Sequence, residues 1–76
     1  MSNGSIIFKQ RKVFGHAEKR ILTILYAANK PLTTQEIANK TEMTRLTAKK
    51  YLIILQDKGK VEGGRLGKSI YWWLAV

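Results

Sequence analysis

The sequence contains no cysteine. Disulfides and thiolate metal sites are excluded, and the fold has to be held by apolar packing alone. His16 is the only histidine, so a zinc site has no second imidazole to draw on. No stretch approaches the ~20 apolar residues of a membrane span. The N-terminus does not read as a signal peptide, because the basic residues around Arg11 follow the apolar Ile6-Ile7-Phe8 instead of preceding it. Acidic residues are scarce: five Asp and Glu face fourteen Lys and Arg. No nucleophile, base and orienting group suggest themselves as a set. The glycines of Gly63-Gly64-Arg65-Leu66-Gly67-Lys68-Ser69 lack the spacing of a phosphate-cradling loop. Neither an enzyme activity, a cofactor, a metal nor a small-molecule ligand is expected, and the protein reads as cytoplasmic.

What is present fits one small domain. The hydrophobic fraction of 45% argues against disorder. A net charge of +9 on so small a body favours a polyanionic partner, either nucleic acid or an anionic membrane. The basic residues are spread over several elements and not along one amphipathic helix, which puts the membrane second.

Residues 1–15 read as an extension whose form periodicity does not decide; it holds Lys9, Arg11 and Lys12 among apolar residues, and Gly15 ends it. A domain over 16–76 follows. The spacing predicts a first helix from about His16 to Ala28, with Ile21, Leu22, Leu25 and Ala28 on one face, Asn29 as its cap and Pro31 as its stop. Thr33-Thr34-Gln35-Glu36 is a capping box that opens a short helix through about Lys40, burying Ile37 and Ala38. Thr44 opens a third helix to about Lys58, where Ala48, Tyr51, Leu52 and Leu55 share a face and Gly59 closes it. Val61 begins a short strand, Gly63 to Ser69 read as a loop, and Ile70 to Leu74 read as the returning strand of a hairpin. Alternation puts Ile70, Trp72 and Leu74 on one side and Tyr71 and Trp73 on the other.

This order predicts an α+β domain in which a short helix braces a longer one across a tight turn. Ile37, Ala38, Met43, Ala48 and Leu52 would form the brace. The outer face of the third helix would then carry Arg45, Leu46, Thr47, Lys49 and Lys50, with Thr44 at its N-cap. Arg and Lys suit guanine edges, Thr suits several bases, Leu46 suits a thymine methyl, and a phosphate suits the amides at the helix start.

The pieces Pro31-Leu32-Thr33, Glu36-Ile37-Ala38, Met43-Thr44-Arg45, Thr47-Ala48, Tyr51-Leu52, Leu55 and Lys58-Gly59-Lys60-Val61 resemble the winged helix-turn-helix family of prokaryotic transcription regulators. The size, basicity and N-terminal extension are similar to those of small regulators of archaeal plasmids and viruses. The resemblance implies a three-helix core with a hairpin wing. It implies double-stranded DNA binding, with the recognition helix at 44–58 in the major groove and the wing at 61–74 on adjacent backbone or minor groove. By that resemblance Thr44, Arg45, Leu46, Thr47, Lys49 and Lys50 would bind DNA from the recognition helix. Arg65, Lys68 and Ser69 would act from the wing, and Gln35 would touch the DNA backbone, joined by Lys9, Arg11 and Lys12 of the extension. Glu42 departs from the family, which often has Gly there, and Ile53 and Ile54 stand where it usually has charge. Ile53, Tyr71, Trp73 and the apolar residues of the extension form a surplus that solvent does not tolerate as one patch. The extension could cover it, or two copies could pair; a homodimer on DNA is the reading favoured. Repression of a promoter is the expected role. The alternative is an architectural or protein-binding adaptor that does not read bases.

Overall fold

A computed structural model describes residues 15–75. The DNA-contacting residues expected in the extension, Lys9, Arg11 and Lys12, lie outside the described residues.

Helix α1 spans His16–Ala28. Ile21 and Leu25 are buried on its inner face, and Leu22, Ile24 and Ala28 pack partly against the same core. The Gly15 amide donates to Glu18 Oε1 at 2.8 Å, which satisfies an N–H group that the helix start leaves without a partner. Glu18 is itself buried, and Lys58 Nζ donates to both its oxygens at 3.2 and 3.3 Å. A buried carboxylate needs such partners to offset its lost hydration. Asn29 adopts the left-handed conformation, φ 54°, and its amide donates to the Leu25 carbonyl.

A two-residue strand, β1 (Leu32–Thr33), follows, where the sequence suggested only a turn and a cap. Helix α2 (Thr34–Thr41) begins there with the expected reciprocal cap. The Glu36 amide donates to Thr33 Oγ1 at 3.1 Å, and the Thr33 amide donates to Glu36 Oε1 at 2.8 Å. Its last residue, Thr41, is fully buried, and its hydroxyl donates back to the Ile37 carbonyl at 2.7 Å. The chain then turns through Glu42 at φ 60°, and the Met43 amide donates to the Ala38 carbonyl. This is a six-to-one closure of the kind that usually places glycine at the left-handed position.

Helix α3 (Arg45–Asp57) carries Ala48, Leu52 and Leu55 into the core. Gly59, φ 78°, lets the chain reverse, and the Lys60 amide closes onto the Leu55 carbonyl. Strands β2 (Val61–Leu66) and β3 (Ser69–Leu74) form an antiparallel hairpin with Gly67 and Lys68 as its two-residue turn. Gly67 has φ 65°, the sign that a primed hairpin turn requires at its first position. The sheet order is β1-β3-β2, so β1 pairs with β3 through Leu32 opposite Trp72 and Thr33 opposite Tyr71.

Gly63 and Gly64 therefore lie inside a strand and not in a loop. They are there because of the tryptophans. A Cβ on Gly63 would come within 2.8 Å of the Trp72 ring, and one on Gly64 within 3.0 Å of the Trp73 ring. As expected, Trp72 is on the inner side, 4% exposed, with Ile70 and Leu74 packed partly against the core. Trp72 Nε1 donates to Thr34 Oγ1 at 2.8 Å. That bond fastens the hairpin to the first residue of α2. Three helices and a hairpin sheet, in this order, make the winged helix-turn-helix architecture.

Candidate nucleic-acid interface

The third helix divides into two faces, as its sequence pattern predicted. One face is sealed against α1 and α2. On the other, Arg45, Leu46, Thr47, Lys49 and Lys50 are all exposed, with Leu46 at 81%. This apolar side chain, set between cations, is left largely uncovered by the described residues.

The exposed face of α3 forms one wall of a cleft of about 290 Å³. Arg45, Leu46 and Lys49 come from α3, Thr33, Thr34 and Gln35 from the start of α2, and Lys68, Ser69 and Ile70 from the wing. Three separate elements thus converge. The cleft has three cations in its lining and no acidic residue. At low local dielectric such a concentration of one sign attracts a polyanion.

The local structure of the α3 start sharpens this. Thr44 caps the helix, accepting from the Thr47 amide at 3.1 Å. Its hydroxyl donates to Thr47 Oγ1 at 2.9 Å, so both hydroxyls are held in place. No acid stands in the first turn, and the first helical residue is Arg45. A cation there opposes the helix dipole, a local cost that intrinsic stability does not explain. At α2 the corresponding charge is opposite in sign: Glu36 is exposed, and its carboxyl is held below its usual range, first by the Thr33 amide and then by the Thr33 hydroxyl and the positive Lys30 and Lys40.

The sequence-derived residues do not all fall in the cleft. Gln35, Arg45, Leu46, Lys49, Lys68 and Ser69 do. Thr44 and Thr47 sit at the cap just described. Lys50 points elsewhere on α3, its Nζ 5.8 Å from the Tyr51 ring centroid. Arg65 lies within β2, opposite Ile70, and lines a different groove. Thr33, Thr34 and Ile70 are cleft residues that the sequence reading did not single out. The capping-box motif marked the two threonines, but only as structural residues. Among the described residues no group of three or more His, Cys, Asp or Glu is placed to hold a metal ion, and no helix is long and apolar enough to cross a membrane.

Comparison with known proteins gives the same architecture. A chain from the DNA recognition and protein interaction domains of HOP2 superposes with a TM-score of 0.70 at 22% identity, over 76% of this chain and 97% of that one. The homodimeric winged helix-turn-helix DNA-binding domain of Mb0332 from Mycobacterium bovis gives 0.72 at 32% identity, over 79% of this chain and 54% of that one. ZitR, a zinc-responsive MarR family member of Lactococcus lactis, gives 0.74 at 21% identity, over 88% and 47%. This chain thus spans about half the length of the last two. No curated protein sequence matches. The family model described as HTH domain matches residues 18–67. The chain therefore belongs to the helix-turn-helix domain family and carries it in the winged form.

Proposed function

We propose that this protein is a sequence-specific double-stranded DNA-binding transcription regulator. The observation that carries the reading is the acid-free cleft that joins Arg45, Leu46 and Lys49 to Gln35 and to Lys68 and Ser69. The exposed face of α3 fits a major groove about 12 Å wide. Arg45 and Lys49 address guanine edges, and Leu46 meets a thymine methyl. Thr44, Thr47 and Gln35 hold the backbone at the positive ends of α3 and α2. Lys68 and Ser69 at the hairpin turn reach the adjacent backbone or minor groove. Lys50 and Arg65 lie outside the cleft and contribute charge. The binding unit is residues 16–76, with residues 1–15 as an N-terminal extension whose Lys9, Arg11 and Lys12 add backbone contacts.

The relative Mb0332 is a homodimer. We extend that state to this chain on DNA, with two α3 helices in half-sites about one helical turn apart. Ile53, 47% exposed on α3, supports a contact between copies. Occupation of promoter DNA by such a dimer excludes other proteins, so repression is the role proposed.

The test is titration of a promoter fragment and a random duplex across a salt series. If each chain neutralises about six phosphates, log affinity falls with log salt at a slope of roughly −5 per chain. Lys49→Ala lowers the slope by about one, and Arg45→Ala costs roughly 1–3 kcal/mol at one base position. Equal affinity for both duplexes would remove the sequence-specific reading. A slope unmoved by Lys49→Ala would remove the cleft from it.

A further inference from the structure

The side of the wing that faces away from the core is not used by the duplex cleft, and it is unusually aromatic. Tyr71 and Trp73 alternate with the buried Trp72, so both lie on the outer side of β3. Two shallow grooves of about 830 and 440 Å³ meet there and share Lys30, Pro31 and Trp73. Tyr26 stands at one end, 78% exposed, and Leu66 at the other, 71% exposed. The charged residues in the lining are Lys30 and Arg65, both cationic.

Trp73 is held in a particular way. Its Nε1 donates to Glu62 Oε1 on the neighbouring strand at 3.2 Å. Its Cη2 and Cζ3 lie 3.0 and 3.4 Å from where a Cβ on Gly64 would stand. The indole is thus held by one hydrogen bond, and its ring edge reaches across β2 over a residue that offers no side chain. The hydrogen bond also ties up Glu62, the one acid beside the ring. A ring tethered in this way has less rotamer freedom left to lose when a planar ligand is laid on it.

We propose that this outer face binds single-stranded DNA. Unpaired bases stack on Trp73 and Tyr71, while phosphates meet Lys30 and Arg65. Aromatic plates flanked by cations are the chemistry by which single strands are held without reading sequence. A chain with a charge of +9, and a face lined by Lys30 and Arg65, favours the polyanion over a neutral apolar partner. The position supports the same occupant. Strand β3 lines the duplex cleft at Ser69 and Ile70, next to Tyr71, so a strand unpaired beside the bound duplex passes directly onto the aromatic face of the same hairpin. The proposal stands apart from the duplex reading, because the two are measured with different ligands.

The experiment is fluorescence anisotropy of labelled dT12 with the full chain at low salt, with a labelled duplex in parallel. Trp73→Leu and Tyr71→Leu should each weaken dT12 binding roughly tenfold and leave duplex affinity nearly unchanged. Lys49→Ala should do the reverse. Trp73→Phe, which keeps a ring, should retain most of the dT12 affinity. Since Trp72 is buried, exposed tryptophan emission belongs to Trp73, and dT12 should quench it. That readout needs no variant, so it decides the matter even if Trp73→Leu fails to fold by circular dichroism. Saturation with dT12 without quenching, or equal dT12 affinity in the folded Trp73→Leu chain, overturns the proposal. A face built for a protein or for a second copy would give that second result.

Discussion

Helices α2 and α3 start alike and are then used in opposite ways. Each is capped by a threonine whose hydroxyl accepts the amide three residues on, at 3.1 Å in both. At α2 that third residue is Glu36, which reaches back to fill the helix end with its own carboxylate. At α3 it is Thr47, and the end is left without an anion. Burial follows the same division. Four of the eight residues of α2 are buried, against three of the thirteen of α3. The shorter helix is spent on the core and serves as a brace. The longer one is held along a narrow seam and presents the rest of its surface. A helix that supplies its own N-terminal charge leaves less for a phosphate to neutralise than the start of α3, where no acid stands.

The comparison can be broken most severely across α3 itself. Leu52 is fully buried and Leu46 is 81% exposed. Leu52→Ala should cost about 3 kcal/mol of stability in denaturant unfolding, from lost burial and the cavity left behind. Leu46→Ala should stay within about 0.5 kcal/mol while weakening duplex binding. Similar unfolding midpoints for the two variants would mean that the helix does not have two faces.

Next in size is Gly63→Ala. The new methyl would stand 2.8 Å from the Trp72 ring, which is pinned by Thr34 and cannot swing aside freely. A loss of about 1–3 kcal/mol is expected, as for other overpacked sites. Gly64→Ala should cost less, because the Trp73 ring it meets is partly open to solvent.

Thr47→Glu makes α3 imitate α2. The new carboxylate completes a capping box with Thr44 and favours the helix dipole, so stability should rise by about 0.3–1 kcal/mol. Duplex affinity should fall at least tenfold, because an anion now stands where phosphate is proposed to bind. A variant that is both more stable and equally tight on DNA would refute the assignment of the α3 start.

The smallest effect is the pH response of α2. Glu36 has its carboxyl lowered by the Thr33 amide, so the folded chain releases this proton more readily than the unfolded chain does. Its contribution is present above the ordinary glutamate range and is lost as pH falls through the lowered value. Because Glu36 is exposed, the change should be a small drop in unfolding midpoint on acidification. Glu36→Gln should flatten it, and an unchanged acid slope in that variant would assign the effect to other groups.

Local signals carried the helices and failed at the sheet. The limits of α1 were legible because Gly15, Asn29 and Pro31 act on the residues next to them. The capping box announced α2 in the same way. Strand β1 was not legible, since Leu32 and Thr33 are extended by pairing with Trp72 and Tyr71 some forty residues later. Gly63 and Gly64 looked like loop residues because glycine usually marks a turn. Their reason for being there is the room that two rings need on the partner strand, and no local pattern reports it. That error also moved Arg65 towards the wing tip, whereas β2 continues to Leu66 and leaves only Gly67 and Lys68 in the turn. Helical spacing put the cations of α3 on its exposed side, but Lys50 falls outside the cleft, and the placing of Thr33, Thr34 and Ile70 in it depends on the docking of the wing.

That docking has a mechanical side. With its indole nitrogen bonded to Thr34, Trp72 works as a rivet between hairpin and helix, and the gap from Lys68 to Arg45 is set before any ligand arrives. Calipers locked at one opening measure whatever is put between them. On the proposed reading, a double helix whose grooves match that opening would enter without being deformed, and one that does not would have to flex, which would make its stiffness part of what is selected.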